Sequence, residues 1–423
     1  ILFISFQFNF FKAVNQGYFH SFQYDSESLV IGRLAESKKN GVFSHHGMLG
    51  KAIAGDLNSK DKGYDNSSEN VYLNIKTPFV YIKYKSQFGF QGIFFSIFDK
   101  VLNLFYIPVE YHIKILHAVT SLFLAIVLSS ILYVFSIELG LLPVAIALGG
   151  IALSDWMVLF AKNLYWVAGS WFLPMLVVLW GQYKEKFKHT FSWSLTLTAV
   201  FISVFLKCLS GYEYISTILV SIIMPIVYYA LVMKWSWGKY IQRTVFIGLA
   251  GLFGFISALC IHLWQLFLDT QDITTAFKLI FQRVAIRTFP DASSIEANSV
   301  YLASAQADVA TVLLTYLGSI SLYGRFSFFI QISAVAIASL IGWFCVTKCV
   351  LFRLDKQKYK ALLITTWISI LAPISWYVLA KGHSFIHVHM NYVLWYIPYL
   401  ILGFILIGYV VNMLMKIILL KNE

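Results

Sequence analysis

Long apolar runs recur along the chain, each broken by a short polar stretch. A helix needs roughly 20 mostly apolar residues to cross about 30 Å of hydrocarbon. On that criterion spans are predicted near residues 1–13, 113–135, 141–160, 165–180, 191–209, 215–233, 245–268, 328–350, 361–380 and 392–415. The predicted fold is all-α, a polytopic transmembrane helical bundle of about ten spans, with extracytoplasmic loop helices. The first run is too short to cross, and we read it as the end of a helix that begins before Ile1. No small-residue cleavage site follows it, which argues against a signal peptide.

The polar breaks orient the bundle. Lys184, Lys186 and Lys188 follow the fourth span, and Lys234, Lys239 and Arg243 follow the sixth. Lys348, Arg353, Lys356, Lys358 and Lys360 follow the eighth, and Lys416 and Lys421 follow the tenth. Every cluster comes after an even-numbered span, and short basic loops mark the cytoplasmic side. The run 300–320 would break this alternation, and it holds Asp308. It is expected to lie against the bundle as an extracytoplasmic helix.

Two long loops, 15–112 and 269–326, then fall outside within one membrane domain, 1–423. Residues 54–70 are rich in Gly, Asp, Asn, Ser and Lys and are expected to be mobile. Residues 88–104 are aromatic but carry Asp99 and Lys100, which suits an interfacial or re-entrant helix. No internal repeat suggests a transporter's duplicated halves.

Composition agrees with the pattern. The chain is 59% hydrophobic and 12% charged, with a mean hydropathy of +0.73. Soluble domains carry about 25% charged residues. The net charge of +12 would suggest nucleic acid in a soluble protein, but the basic residues sit at span ends and call for a membrane instead. Cys208, Cys260, Cys345 and Cys349 lie in or beside apolar segments without a disulfide framework.

The unusual polar residues gather near two places. Directly after the first span comes Tyr24-Asp25-Ser26-Glu27-Ser28, leading into 29–34 and Arg33. This reads as a short amphipathic helix at the membrane surface. Asp25 and Glu27 are either simple N-terminal caps or a general base and its positioning partner. Before the last span comes Lys381-Gly382-His383-Ser384-Phe385-Ile386-His387-Val388-His389-Met390-Asn391. His383 and His387 share a face of a helix, and His387 and His389 share a face of a strand. The string offers metal ligands, but it lacks a carboxylate or cysteine partner, so no metal site is assigned. Lys381 and the histidines are equally suited to phosphate or sugar hydroxyls.

Further candidates are Glu213 in Gly211-Tyr212-Glu213-Tyr214, and Asp155 within the third span, expected to face Lys162 or Lys207. Arg283 and Arg287, one helical turn apart and followed by Asp291, are spaced as a phosphate clamp or as a plain basic helix. No P-loop, dinucleotide fingerprint, serine elbow or zinc-protease motif is present.

With the long first outer loop and the acids Asp25 and Glu27 just after the first span, the chain resembles the GT-C class of integral membrane glycosyltransferases. The blocks 24–33, 211–214 and 383–391 are similar to those of bacterial envelope membrane proteins of this kind. The resemblance implies a lipid-linked (polyprenyl-phosphate) sugar donor, a glycan or lipid acceptor and an inverting transfer. It places Asp25 or Glu27 at the reaction centre. No cofactor is assigned, and the residues leave a divalent metal open. Arg33, Arg283, Arg287 or Lys381 would hold the phosphate, and the site would face the exterior of a bacterial inner membrane. A transporter or flippase, a polysaccharide polymerase or ligase relying on Arg and His, and a histidine-bound metal protein are the competing expectations.

Overall fold

The computed structural model describes residues 1–55, 67–187, 192–288, 299–348 and 356–421. Among these the chain is overwhelmingly helical, as the apolar periodicity requires. Two small antiparallel hairpins interrupt it, Gly50–Ala54 with Phe79–Lys83 and Ile320–Leu322 with Phe326–Ser327. The expected mobile stretch 54–70 falls mostly outside the described residues, as do Lys188, Asp291, Cys349 and Arg353.

Seven helical stretches are long and apolar enough to cross a membrane. They are Val109–Leu139, Trp193–Ser210, Ile215–Val232, Trp237–Thr270, Phe328–Lys348, Lys356–Leu379 and Val388–Leu419. The other three of the ten predicted spans fall short for visible reasons. The first is helical only over Leu2–Phe8. The third is split, because Ser154 stops Leu141–Ala152 and caps a new helix, Asp155–Ala161, by accepting from the Met157 N–H. The fourth, Gly169–Lys186, ends in three charges, Lys184, Glu185 and Lys186.

The run 300–320 is two short helices, Ser299–Gln306 and Val309–Gly318, with Asp308 capping the second at 2.6 Å from the Thr311 N–H. Neither is long enough to cross about 30 Å. The expectation that this run does not span therefore stands among the described residues.

The two ends of the bundle differ chemically. At one end the basic residues are tied to carboxylates and carbonyls. Buried Glu138 accepts from Lys186 and from the Tyr229 hydroxyl, and its backbone carbonyl accepts from Lys358 at 3.0 Å. Glu185 pairs with Lys239 at 2.8 Å and with Arg243 at 3.2 Å. The clusters that follow the predicted fourth, sixth and eighth spans thus meet at one end. At the other end lie the C-termini of Trp193–Ser210 and Trp237–Thr270, the start of Val109–Leu139 and the helix Lys381–Ile386.

The helix Tyr24–Asn40 crosses that second end. It is 17 residues long and buried from Glu27 to Ser37, so it is an internal strut and not the surface helix that 24–34 suggested. Gly32 makes this possible: a Cβ there would lie 2.2 Å from the Gly50 carbonyl oxygen of the first hairpin. The helix Phe90–Leu104 exposes Phe94, Ile97 and Leu104 while burying Asp99. Asp99 is held among Tyr72, His112 at 2.7 Å and Lys38 at 3.9 Å. Burying a carboxylate is costly unless it is paired and hydrogen-bonded, and this one is both.

Candidate functional site

A polar cavity of about 430 Å³ opens at this second end. Pockets that take small molecules span about 300–1,000 Å³. Its walls come from chain segments far apart in sequence. The start of Tyr24–Asn40 contributes Gln23, Asp25 and Ser26, and the first hairpin region contributes Lys51, Tyr84 and Ser86. Tyr165 and Glu213 come from turns between helices. Arg283 and Arg287 come from Ile273–Arg287, and His383, His387 and His389 come from the turn before the last helix.

The cavity floor is an ion pair. Arg287 Nη1 lies 3.2 Å from Glu213 Oε1, with side-chain exposures of 25% and 6%. Glu213 is aimed by its turn. Buried Lys207 donates to the carbonyls of Gly211, at 2.6 Å, and of Glu213. Gly211 has φ +155°, and a Cβ there would lie 2.5 Å from Glu213 Oε2. Only glycine lets the carboxylate sit against the backbone at that point. Burial works against the Arg287 cation, but Glu213, Tyr84 and Tyr165 outweigh it and hold its pKa above the ordinary guanidinium value. Arg287 is therefore a fixed cation.

The opposite wall carries Asp25, which is exposed. Its carboxylate has no hydrogen-bond or ion-pair partner among the described residues. It lies close enough to His387 and His389 to act on both electrostatically. Ser26 donates to Gln23 Oε1 at 3.0 Å, so Gln23 Nε2 is the donor to His389 Nε2 at 2.8 Å. Asn391 Nδ2 lies 3.3 Å from His383 Nδ1, which makes that nitrogen an acceptor and places the His383 proton on Nε2.

Burial first, and then the Arg287 charge and the neighbouring histidines, hold the His383 pKa well below the ordinary imidazole value. Burial, His389 and Arg287 lower His387 in the same direction. Both rings are therefore neutral near pH 7. The unfolded chain binds these protons near pH 6.5 and the folded chain resists them, so stability rises with pH through that window. Thermal stability of the purified protein is expected to be flat from pH 8 to about pH 7 and to fall as the pH drops through about 6.5. A His383→Gln variant should show a weaker fall; an identical pH profile would contradict the assignment.

A second, apolar groove of about 460 Å³ adjoins the cavity. It runs between Trp237–Thr270 and Ile273–Arg287 and is walled by Phe255, Leu259, Leu263, Phe277, Ile280 and Phe281. Ser86, Arg283 and Arg287 line both spaces. The two basic side chains stand where the apolar groove ends and the polar cavity begins.

The structure thus brings Asp25, Glu213, Arg283, Arg287, His383, His387 and His389 around one cavity. It places the other sequence candidates elsewhere. Glu27 is buried behind the cavity wall, 2.9 Å from His117 Nε2, and accepts from the Leu164 N–H at 2.8 Å. Burial opposes its charge, but His117 and these bonds bring its pKa below the ordinary carboxylate value. Glu27 ties Tyr24–Asn40 to Val109–Leu139. Glu27→Gln is expected to cost about 1.5–3 kcal/mol of stability, the worth of a charged hydrogen bond, while leaving activity per folded molecule intact. Denaturation monitored alongside activity checks this, and an inactive but fully stable protein would contradict it.

Arg33 does not line the cavity. It is fully buried and donates to the carbonyls of Gly41, Val42 and Ser44 at 2.7–2.8 Å. Lys381 donates to the carbonyls of Ala305 and Ala307. Asn391 is buried and accepts from Trp376 Nε1. Asp155 accepts from the Gly324 N–H at 3.2 Å and pairs with neither Lys162 nor Lys207. Lys162 stands 3.8 Å over the Phe19 ring instead.

Gln23, Lys51, Tyr84 and Tyr165 line the cavity without having been singled out from sequence. Their sequence contexts carry no motif. Lys83 and Lys85 did carry a signal, the strand-like alternation that turns both toward Asp269. Among the described residues no cluster of three or more His, Cys, Asp or Glu side chains is arranged to hold a metal ion. Compared with known protein families, with curated proteins and with solved structures, the chain matches none.

Proposed function

We propose that this protein is an integral membrane glycosyltransferase of GT-C type. It takes a sugar from a polyprenyl-phosphate donor and passes it to an acceptor hydroxyl at the extracytoplasmic face. One observation carries the reading: an apolar groove and a polar cavity share Arg283 and Arg287 at their junction. A polyprenyl-phosphate sugar has the same order of parts, an apolar tail, an anion and a polyol. Guanidinium groups match phosphate oxygens in geometry and charge.

In this reading the tail lies along the groove, the phosphate meets Arg283 and Arg287, and the sugar occupies the cavity. The acceptor oxygen attacks the anomeric carbon and its proton passes to Asp25. The bond from that carbon to the phosphate oxygen breaks, and the phosphate leaves with the electron pair, stabilised by the two arginines. One displacement inverts the carbon. Glu213 fixes Arg287, and the neutral histidines offer hydrogen bonds to sugar hydroxyls.

The orientation follows from charge. The end opposite the cavity carries Lys186, Lys239, Arg243 and Lys358. By the positive-inside rule that end is cytoplasmic, so the cavity faces out. The expected setting is a bacterial inner membrane and its envelope. A polysaccharide ligase or polymerase is the alternative, favoured by the packing of His383 on His387 beside Arg287, and it would not need Asp25. Purified protein in proteoliposomes, supplied with mixed polyprenyl-phosphate sugars and envelope glycans, is expected to release lipid phosphate and form glycoside. No turnover with any donor would refute the reading.

A further inference from the structure

The cavity does not close behind Asp25. A second space of about 560 Å³ adjoins that residue. It shares Gln23, Asp25 and His389 with the donor cavity and is otherwise lined by Gly17, Tyr18, His20, Ser21, Phe22 and Tyr24. We infer that this vestibule is the acceptor site and that its acceptor is a water-borne saccharide, not a membrane lipid. The inference rests on the glycosyl-transfer reading above and narrows it.

Three observations support the choice. First, the geometry leaves one carboxylate between two spaces. A base that takes a proton from an incoming hydroxyl must reach the acceptor on one side and the anomeric carbon on the other. Asp25 has that position, and its carboxylate is not engaged by another described residue.

Second, the vestibule rim is open. Gln16, Gly17, Tyr18, His20 and Ser21 of the rim helix Gln16–Ser21 are exposed. The apolar groove reaches the cavity from its other wall, at Arg283 and Arg287. A lipid acceptor would need a second apolar path to Asp25, and every residue of this lining except Gly17 and Phe22 carries a hydroxyl, amide, imidazole or carboxylate group.

Third, the rim carries a fixed aromatic ring. Tyr18 is 41% exposed and packs edge-on against Phe22 at 5.5 Å, and Phe22 packs on Phe160 at 4.9 Å. A half-exposed ring anchored by its neighbours suits the C–H face of a sugar, with polar groups around it for the hydroxyls.

The test uses two single-cysteine proteins in nanodiscs, where both faces are accessible. One keeps Cys260, which is exposed on the groove wall. The other carries Ser21→Cys with all native cysteines replaced, and His20→Cys serves as a second position. Each is labelled with a small uncharged maleimide, which reaches thiols in water and in the bilayer, in the presence of farnesyl phosphate or of a polysaccharide hydrolysate rich in hexoses and N-acetylhexosamines.

The expected result is that farnesyl phosphate slows labelling of Cys260 severalfold and leaves positions 20 and 21 unchanged. The saccharides should do the reverse. If Cys260 is protected by farnesyl phosphate but positions 20 and 21 are protected by lipid or by nothing, the saccharide vestibule is refuted and the donor reading survives. If farnesyl phosphate protects no position, both fail.

Discussion

Replacing Asp25 with Asn is expected to reduce sugar transfer by about 10²–10⁴-fold, the range that general acid–base catalysis supplies, with no loss of stability. The amide has nearly the same shape and cannot accept the proton. Asp25 is exposed and holds no hydrogen bond or ion pair with another described residue, so nothing in the fold depends on it. Donor binding should persist, which places the loss in kcat and not in KM. Steady-state kinetics beside a melting curve check this. The contrast with Glu27→Gln is the sharper point. Two acids two residues apart are expected to separate cleanly, one affecting chemistry and the other stability. If Asp25→Asn keeps full activity, the base lies elsewhere and the ligase alternative gains.

The second large effect is expected at Arg287. Arg287→Met removes the cation at the junction and leaves Glu213, with a side chain only 6% exposed, without its partner. Breaking a buried ion pair from one side costs about 3–5 kcal/mol, mostly from the stranded charge. Donor affinity should also fall by about ten- to a hundredfold, the worth of one charged hydrogen bond. The double variant Arg287→Met with Glu213→Gln separates the two effects. It is expected to recover most of the stability and none of the donor affinity. Recovery of both would show that Arg287 serves the fold alone.

Much of this cavity's lining was legible in the sequence, on different grounds. The histidines stood out because polar groups in an apolar context are expensive and have to be accounted for. Arg283 and Arg287 stood out by their one-turn spacing, and Glu213 by its place at a turn between apolar runs, and all line the cavity. Arg33 and Lys381 were read as phosphate ligands from their charge, and neither lines the cavity. Their compensation is backbone carbonyls, and no residue type announces a cage of carbonyls.

Asp25 and Glu27 were separable in principle, since residues two apart on a helix do not share a face. Which face meets the cavity depends on how Tyr24–Asn40 packs, and that is set by Gly32 against the first hairpin. The third predicted span falls short for a local reason. Hydropathy averages over a window and does not register one serine that ends a helix and caps the next, as Ser154 does. The vestibule was invisible because its wall joins residues 17–25 to His389, a pairing only the fold creates.

The central claim is that groove and cavity form one bipartite site for a lipid-linked anion. Protection of Cys260 tests it most directly, because that thiol lies on the groove wall and the readout needs no turnover. Labelling of the otherwise cysteine-free protein should slow severalfold with farnesyl phosphate, much less with farnesol and not at all with inorganic phosphate. In the Arg287→Met variant the advantage of farnesyl phosphate over farnesol should vanish. Equal protection by farnesol and farnesyl phosphate in the wild type, or none by either, would contradict the account.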